Sequence, residues 1–179
     1  MHGSSNSPTI GGRMLCHVLM IRSAMRRLTD EERVLLEQRK ERFSKVLEER
    51  RPVLTDFMQR LGFEDGHIVH SQAERFLDPL DSWMKQQTIT LEDRNWILTR
   101  MAYFIGEFLV QRFSGCWYVN ELPESRFFAR YVVGRFVRVS NPNAMVDPFH
   151  SAELFVSEAP GRNLKSLLAE IENELQQSQ

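Results

Sequence analysis

The chain has 179 residues, 42% of them hydrophobic and 26% charged, with a formal charge of −1. This is ordinary globular usage, which excludes collagen-like, low-complexity and disordered classes, and a chain of this length needs no disulfide or metal staple to bury a core. No apolar run approaches the ~18 residues of a membrane span, and the near-zero charge disfavours a chain dominated by nucleic-acid binding.

The charge is unevenly spread. Residues 1–29 hold Arg13, Arg22, Arg26 and Arg27 and no acid, whereas the rest of the chain has a balance of −5. The opening is rich in small polar residues and precedes the apolar run Met14 to Ile21. We expect residues 1–27 to be a flexible or extended segment, with a single domain over 28–179. A targeting presequence and a membrane-surface helix are the competing readings of that start. Two cysteines a hundred residues apart, Cys16 and Cys116, form no framework. They suit the reducing cytoplasm, as free thiols buried like small hydrophobes.

Thr29 and Glu32 form a capping box that opens the first helix. Leu36, Phe43, Val46, Leu47, Leu54, Phe57 and Leu61 then recur at helical spacing. Pro52 is expected to kink or restart this helix and Gly62 to end it. Between Asp30 and Arg51 the acids and bases balance, the pattern of a solvated face. Ser71 to Glu74 reads as a second capping box. Pro79 is expected to split the segment after that box into two short helices, the second capped by Asp78. Thr90 opens a long helix with Ile97, Met101, Phe104, Ile105, Phe108 and Leu109 on its core side, ended by Ser114-Gly115. Arg100, Tyr103, Glu107 and Gln111 fall together opposite that stripe. They form either a solvated polar face or a carboxylate held beside a pocket. Gly106 inside the helix favours close backbone approach.

From Cys116 the pattern changes to β-branched and aromatic residues. Cys116–Val119 is expected as a strand and Phe127–Val139 as the longest one, bent at Gly134. Residues 147–156, opened by Asp147-Pro148-Phe149, are expected to be extended or mixed. Asn163 is expected to cap a last helix carrying Leu164, Leu167, Leu168, Ile171 and Leu175. The fold class is therefore α+β: N-terminal helices packed on a small antiparallel sheet, with a C-terminal amphipathic helix.

Three chemistries compete. Arginines at 126, 130, 135 and 138 interleave with aromatic residues, and no acid occurs between residues 125 and 146. This pattern fits a protein-binding surface, with Trp117, Arg130, Tyr131, Arg135 and Arg138 in contact with the partner, or a solvated sheet face. His67, His70 and Glu74 lack the convergent ligands of a zinc site, so no metal is expected. Cys116 with His150 and Asp147 would make a nucleophile only with a depressed thiol pKa, and nothing local supplies one. No phosphate loop, dinucleotide fingerprint or hydrolase elbow is present, so no cofactor is expected.

The run Tyr103 to Leu109, then Gly115-Cys116-Trp117, then Asp147-Pro148-Phe149, resembles a group of small bacterial domains of unknown function. In these a helix carrying Gly-Glu precedes a Gly-x-Trp strand and a Pro-Phe segment. The resemblance spans about residues 95–175 and implies a bacterial cytosolic α+β module without an established activity. By analogy with immunity proteins, the partner expected is a protein, such as a toxin or effector. A homodimer is the other association left open. The leading function is a non-enzymatic immunity-like or adaptor module. The alternative is a small enzyme or ligand-binding domain with a pocket around Glu107 and Tyr103.

Overall fold

Helix α1 (Asp30–Arg60) begins at the capping box: the Thr29 side chain accepts from the Glu32 amide while Glu32 accepts from the Thr29 amide. The computed structural model describes residues 26–177, so the expectations for residues 1–25, including Cys16 and the Met14–Ile21 run, lie outside the described residues. Arg26 pairs with Glu32 at 2.7 Å and reaches Glu124 and the Pro123 carbonyl.

α1 runs unbroken through Pro52. The missing N–H frees the Glu48 carbonyl, but both residues are exposed, so that carbonyl is not stranded in the core. One turn later Leu54, Phe57 and Met58 are fully buried, and that packing outweighs the proline penalty. Gly62, at φ +92°, takes the left-handed position that ends the segment.

The expected box at Ser71 does not form. The Ser71 hydroxyl donates to the Ile68 carbonyl, and the Ala73 amide is taken by the Gln111 side chain at 2.7 Å. Two short 3-10 turns (66–70 and 73–76) result, the second running straight into α2 (Leu77–Gln86), with Pro79 in its first turn and no side-chain cap from Asp78. α3 (Leu91–Phe113) starts where Thr90 accepts from the Asp93 amide and stops at Ser114, φ 53°. It is the central element: α1, the second 3-10 turn, the strands at 116–119 and 131–134 and the helix at 148–157 all pack on it.

Strands β1 (Cys116–Val119), β2 (Tyr131–Gly134) and β3 (Met145–Val146) form one antiparallel sheet in that order. Trp117 lies opposite Val133, which lies opposite Val146. The long strand expected over 127–139 is cut to four residues because Ala129 and Arg135 both adopt left-handed φ, 54° and 53°. Residues 147–156, expected as extended or mixed, are mostly helical: α4 (Pro148–Ser157) starts after Asp147, whose carboxylate accepts from the Phe149 and His150 amides, with Pro148 at the first helical position. α5 (Leu164–Gln177) is capped by Asn163, as its sequence indicates. It is capped a second time by the buried Asp81 of α2, which accepts from the Leu164 amide at 2.8 Å. Burial alone would raise the Asp81 carboxyl, but its bonds from Lys85, Leu164 and Lys165 hold it below the ordinary value. The molecule is thus α+β, with five helices and a three-stranded sheet among the described residues.

Candidate functional site

The residues expected opposite the core stripe of α3 do not stay together, and most of them are not solvated. Both faces of α3 are buried, because neighbours pack on it from several sides. Gln111 clamps the chain between the two 3-10 turns, donating to the Val69 carbonyl at 2.9 Å and accepting from Ala73. Arg100 lies flat on Trp96, 3.8 Å from the ring centroid, and 3.8 Å from Asp56. Glu107 is 5% exposed and Tyr103 4%. Of these two, Tyr103 lines an open groove.

Glu107 sits in a closed ionic cluster. Its Oε1 is 3.1 Å from the Arg50 guanidinium of α1 and accepts from the Trp117 indole N–H at 3.4 Å. Its Oε2 is 3.8 Å from His70 Nδ1. The other ring nitrogen, Nε2, lies 3.1 Å from the Arg51 carbonyl and 3.0 Å from the Thr55 hydroxyl. A carbonyl can only accept, so Nε2 carries a proton. Burial holds the His70 pKa below its ordinary value despite the neighbouring carboxylate. Gly106 completes the junction. A Cβ there would stand 1.8 Å from Trp117 Cζ2, so only glycine lets the indole lie against α3.

Trp117, expected at the contact surface, is therefore turned inward, 7% exposed, and wedged between β1 and α3. Cys116, expected to be buried, is exposed, since alternation along β1 sends its side chain away from Trp117's face. Among the described residues no three His, Cys, Asp or Glu side chains are grouped to hold a metal.

The arginines of the aromatic run divide between the two ends of β2. Arg135 covers the Tyr118 ring at 4.4 Å, and Arg138 donates to the Arg112 carbonyl at the end of α3. Arg130 lies at the other end, where it meets Arg126 and, from α1, Arg39. These three arginines rim a groove of about 780 Å³ between α1, α3, β2 and α4. Its walls are Tyr103, Phe128, Tyr131 and Phe149, with Leu35 and Val46 from α1. Arg39 lies 5.5 Å from the Tyr131 ring centroid, and the Tyr131 hydroxyl donates to the Arg39 carbonyl. Tyr131 stacks on Phe43 at 5.8 Å, which fixes the wall. Asp147 is the one carboxylate of the lining. It is fully engaged, accepting from Arg130 at 2.9 Å and capping α4. Burial raises the Tyr103 hydroxyl pKa, so the groove floor stays neutral.

Sequence reasoning found Arg130, Tyr131 and Tyr103, and placed Arg126 and Phe128 in the arginine–aromatic run, but missed Arg39 and Phe149 as site residues. A signal existed: Leu35, Arg39 and Val46 share one face of α1 at spacings of four and seven. Their role emerges only when β2 and α4 are brought alongside.

Compared with family models, with curated proteins and with solved structures, the chain matches none of them. Among the described residues no helix is long and apolar enough to cross a membrane.

Proposed function

We propose that the chain is a non-enzymatic protein-binding module whose Arg39–Arg126–Arg130 groove captures an acidic segment of a partner protein. One observation carries this reading. The groove combines three guanidinium groups with aromatic and aliphatic walls, and its one carboxylate is already neutralised from within. Arginine and tyrosine around a concave apolar floor are the residues that dominate protein interfaces. Three guanidinium groups beside that floor select a carboxylate next to an aromatic or aliphatic side chain. The role is immunity-like or adaptor-like: the module occludes the surface that presents the acidic segment. A toxin or effector fits that partner, and the cytoplasm fits the free thiol of Cys116.

The test is a selection from a random peptide display library on the folded domain. Enriched sequences should pair Asp or Glu with an aromatic or aliphatic residue and should lose binding to the Arg39→Glu, Arg126→Glu double variant. Enrichment of basic or uncharged peptides, or binding that the double variant retains, would overturn the reading.

A second reading, a ligand-binding or catalytic pocket, draws on Tyr103 in the groove floor. It is weakened because Glu107, the acid it needs, is enclosed with Arg50 and Trp117 and does not line the groove.

A further inference from the structure

Beyond the groove, a second depression of about 320 Å³ lies between α4, α5 and β3. Its apolar lining includes Phe127, Met145, Leu154, Leu167 and Ile171. The two depressions are continuous: Arg126 and Asp147 line both, and a small dent formed by Arg126, Phe127, Arg130 and His150 bridges them. We propose that the captured segment runs across Arg126 into this cleft and seats there an aliphatic side chain next to a basic one. The inference rests on the groove reading above.

The charge along the path carries the argument. From the groove to the dent the exposed ionised groups are the guanidinium groups of Arg39, Arg126 and Arg130. In the cleft the sign reverses, with Glu170 and Glu174 on the rim from α5. The Glu170 side chain is exposed and forms no ion pair or hydrogen bond among the described residues. Beside it Leu154 of α4 leaves 54% of its surface in water. An exposed leucine in a concave site next to an uncompensated carboxylate matches an aliphatic residue followed by Lys or Arg. A uniformly acidic segment would meet repulsion here, so the trench reads a bipolar sequence and not net charge alone.

The experiment uses the full chain and labelled synthetic peptides, read by fluorescence anisotropy. The parent probe holds Asp and Phe residues only. Two extended probes add Ala-Leu-Lys or Ala-Ser-Glu, each tried at either end. We expect the Leu-Lys extension at one end to tighten binding roughly tenfold, the scale of partly burying one leucine, and the Ser-Glu extension to weaken it. Leu154→Asp should abolish the gain without changing the parent's affinity. Glu170→Lys, an exposed charge reversal that needs no repacking, should reduce the gain independently. Arg39→Glu with Arg126→Glu should lose every probe. If the parent binds and the Leu-Lys extension adds nothing, the cleft is not a subsite while the groove reading stands. Should no probe bind, both fall. A dimer in sedimentation that Leu154→Asp dissociates would assign the cleft to a second copy of this chain and overturn the inference.

Discussion

Two charged clusters meet α3, and they use the same residue types to opposite ends. The cluster at Glu107 is closed: Arg50, Trp117 and His70 surround one carboxylate that is 5% exposed, and Gly106 removes the last obstacle to their contact. The groove at Tyr103, one helical turn away on the same helix, is open: of three exposed guanidinium groups in its lining, only that of Arg130 pairs with its single carboxylate. A buried ion pair contributes little net stability but is costly to break, because the surviving charge is left without solvent. Exposed arginines cost almost nothing to keep and remain free to meet a partner. Complementarity satisfied from within marks the folding element, and complementarity left unsatisfied marks the surface proposed to meet a partner.

The comparison can be broken most severely at Gly106. Gly106→Ala drives a methyl into the Trp117 ring, 1.8 Å from its nearest atom, and neither α3 nor β1 can yield without repacking the sheet. We expect a loss of about 3 kcal/mol in urea unfolding, at the upper end for overpacking, recovered in large part by adding Trp117→Leu. A loss below about 0.5 kcal/mol, the scale of an ordinary surface change, would show that the junction is loose. Next comes Glu107→Leu, which strands Arg50. Arg50 retains 17% exposure of its side chain, so the penalty should fall below the full cost of a broken buried pair, at about 2 kcal/mol. The double variant Arg50→Met, Glu107→Leu should be more stable than Glu107→Leu alone. If instead it is less stable, the pair is not the unit we describe.

Much of the helical frame was legible in the sequence because caps are local. Thr29, Thr90 and Asn163 each bond an amide three residues on, and each starts its helix where the pattern places it. The failures were decided at long range. At the expected box the Ser71 hydroxyl and amide both turn back to the Ile68 carbonyl while Gln111, 38 residues on, holds the Ala73 amide, and Pro52 was overridden by the burial of Leu54, Phe57 and Met58. The strand from 127 was shortened by left-handed φ at Ala129 and Arg135, two residues whose type gives no warning. The Asp147-Pro148 pair, by contrast, carries a local helix-start signal that the extended reading overlooks. At the site, Arg130, Tyr131 and Tyr103 came from the arginine–aromatic alternation and the helix face. Trp117 shares the same pattern yet points inward, because alternation says which residues share a face and not which face is covered. Gly106 and Trp117 form one feature, and only their contact explains both.

His70 gives a smaller effect with a defined sign. Burial lowers its pKa from the ordinary 6.5, so the folded protein binds this proton less readily than the unfolded chain. Its neutral form is stabilising above about pH 6.5, and that stability is lost as the pH falls below this value toward the folded pKa. Glu107 opposes the shift, which keeps the slope shallow. Melting temperatures at about pH 7.5 and about pH 5.5 should therefore fall more for the wild type than for His70→Gln, which keeps a donor for the Arg51 carbonyl. Equal falls in both proteins would show that the ring does not sense the buried cluster.

The smallest expected effect on folding falls at the groove, and it discriminates best between the two clusters. Arg39 and Arg126 are exposed, and neither forms an ion pair with an acid among the described residues. Arg39 covers Tyr131 and Arg126 covers Phe127 at 4.5 Å, contacts of about 0.5 kcal/mol at exposed sites. The Tyr131 hydroxyl bonds the Arg39 backbone carbonyl, which a change of side chain leaves in place. Reversing both charges should thus shift unfolding by no more than about 1 kcal/mol, while Arg130→Glu should cost more, since it sets a carboxylate against the buried Asp147 that caps α4. Unfolding of the three single variants and the Arg39–Arg126 double, read by circular dichroism, checks this. Were the double reversal as damaging as Glu107→Leu, the groove arginines would be structural and the open cluster would be a second closed one. If it unfolds like the wild type and has lost its acidic peptides, the same substitution that leaves the fold alone removes the binding, as a surface held open for a partner requires.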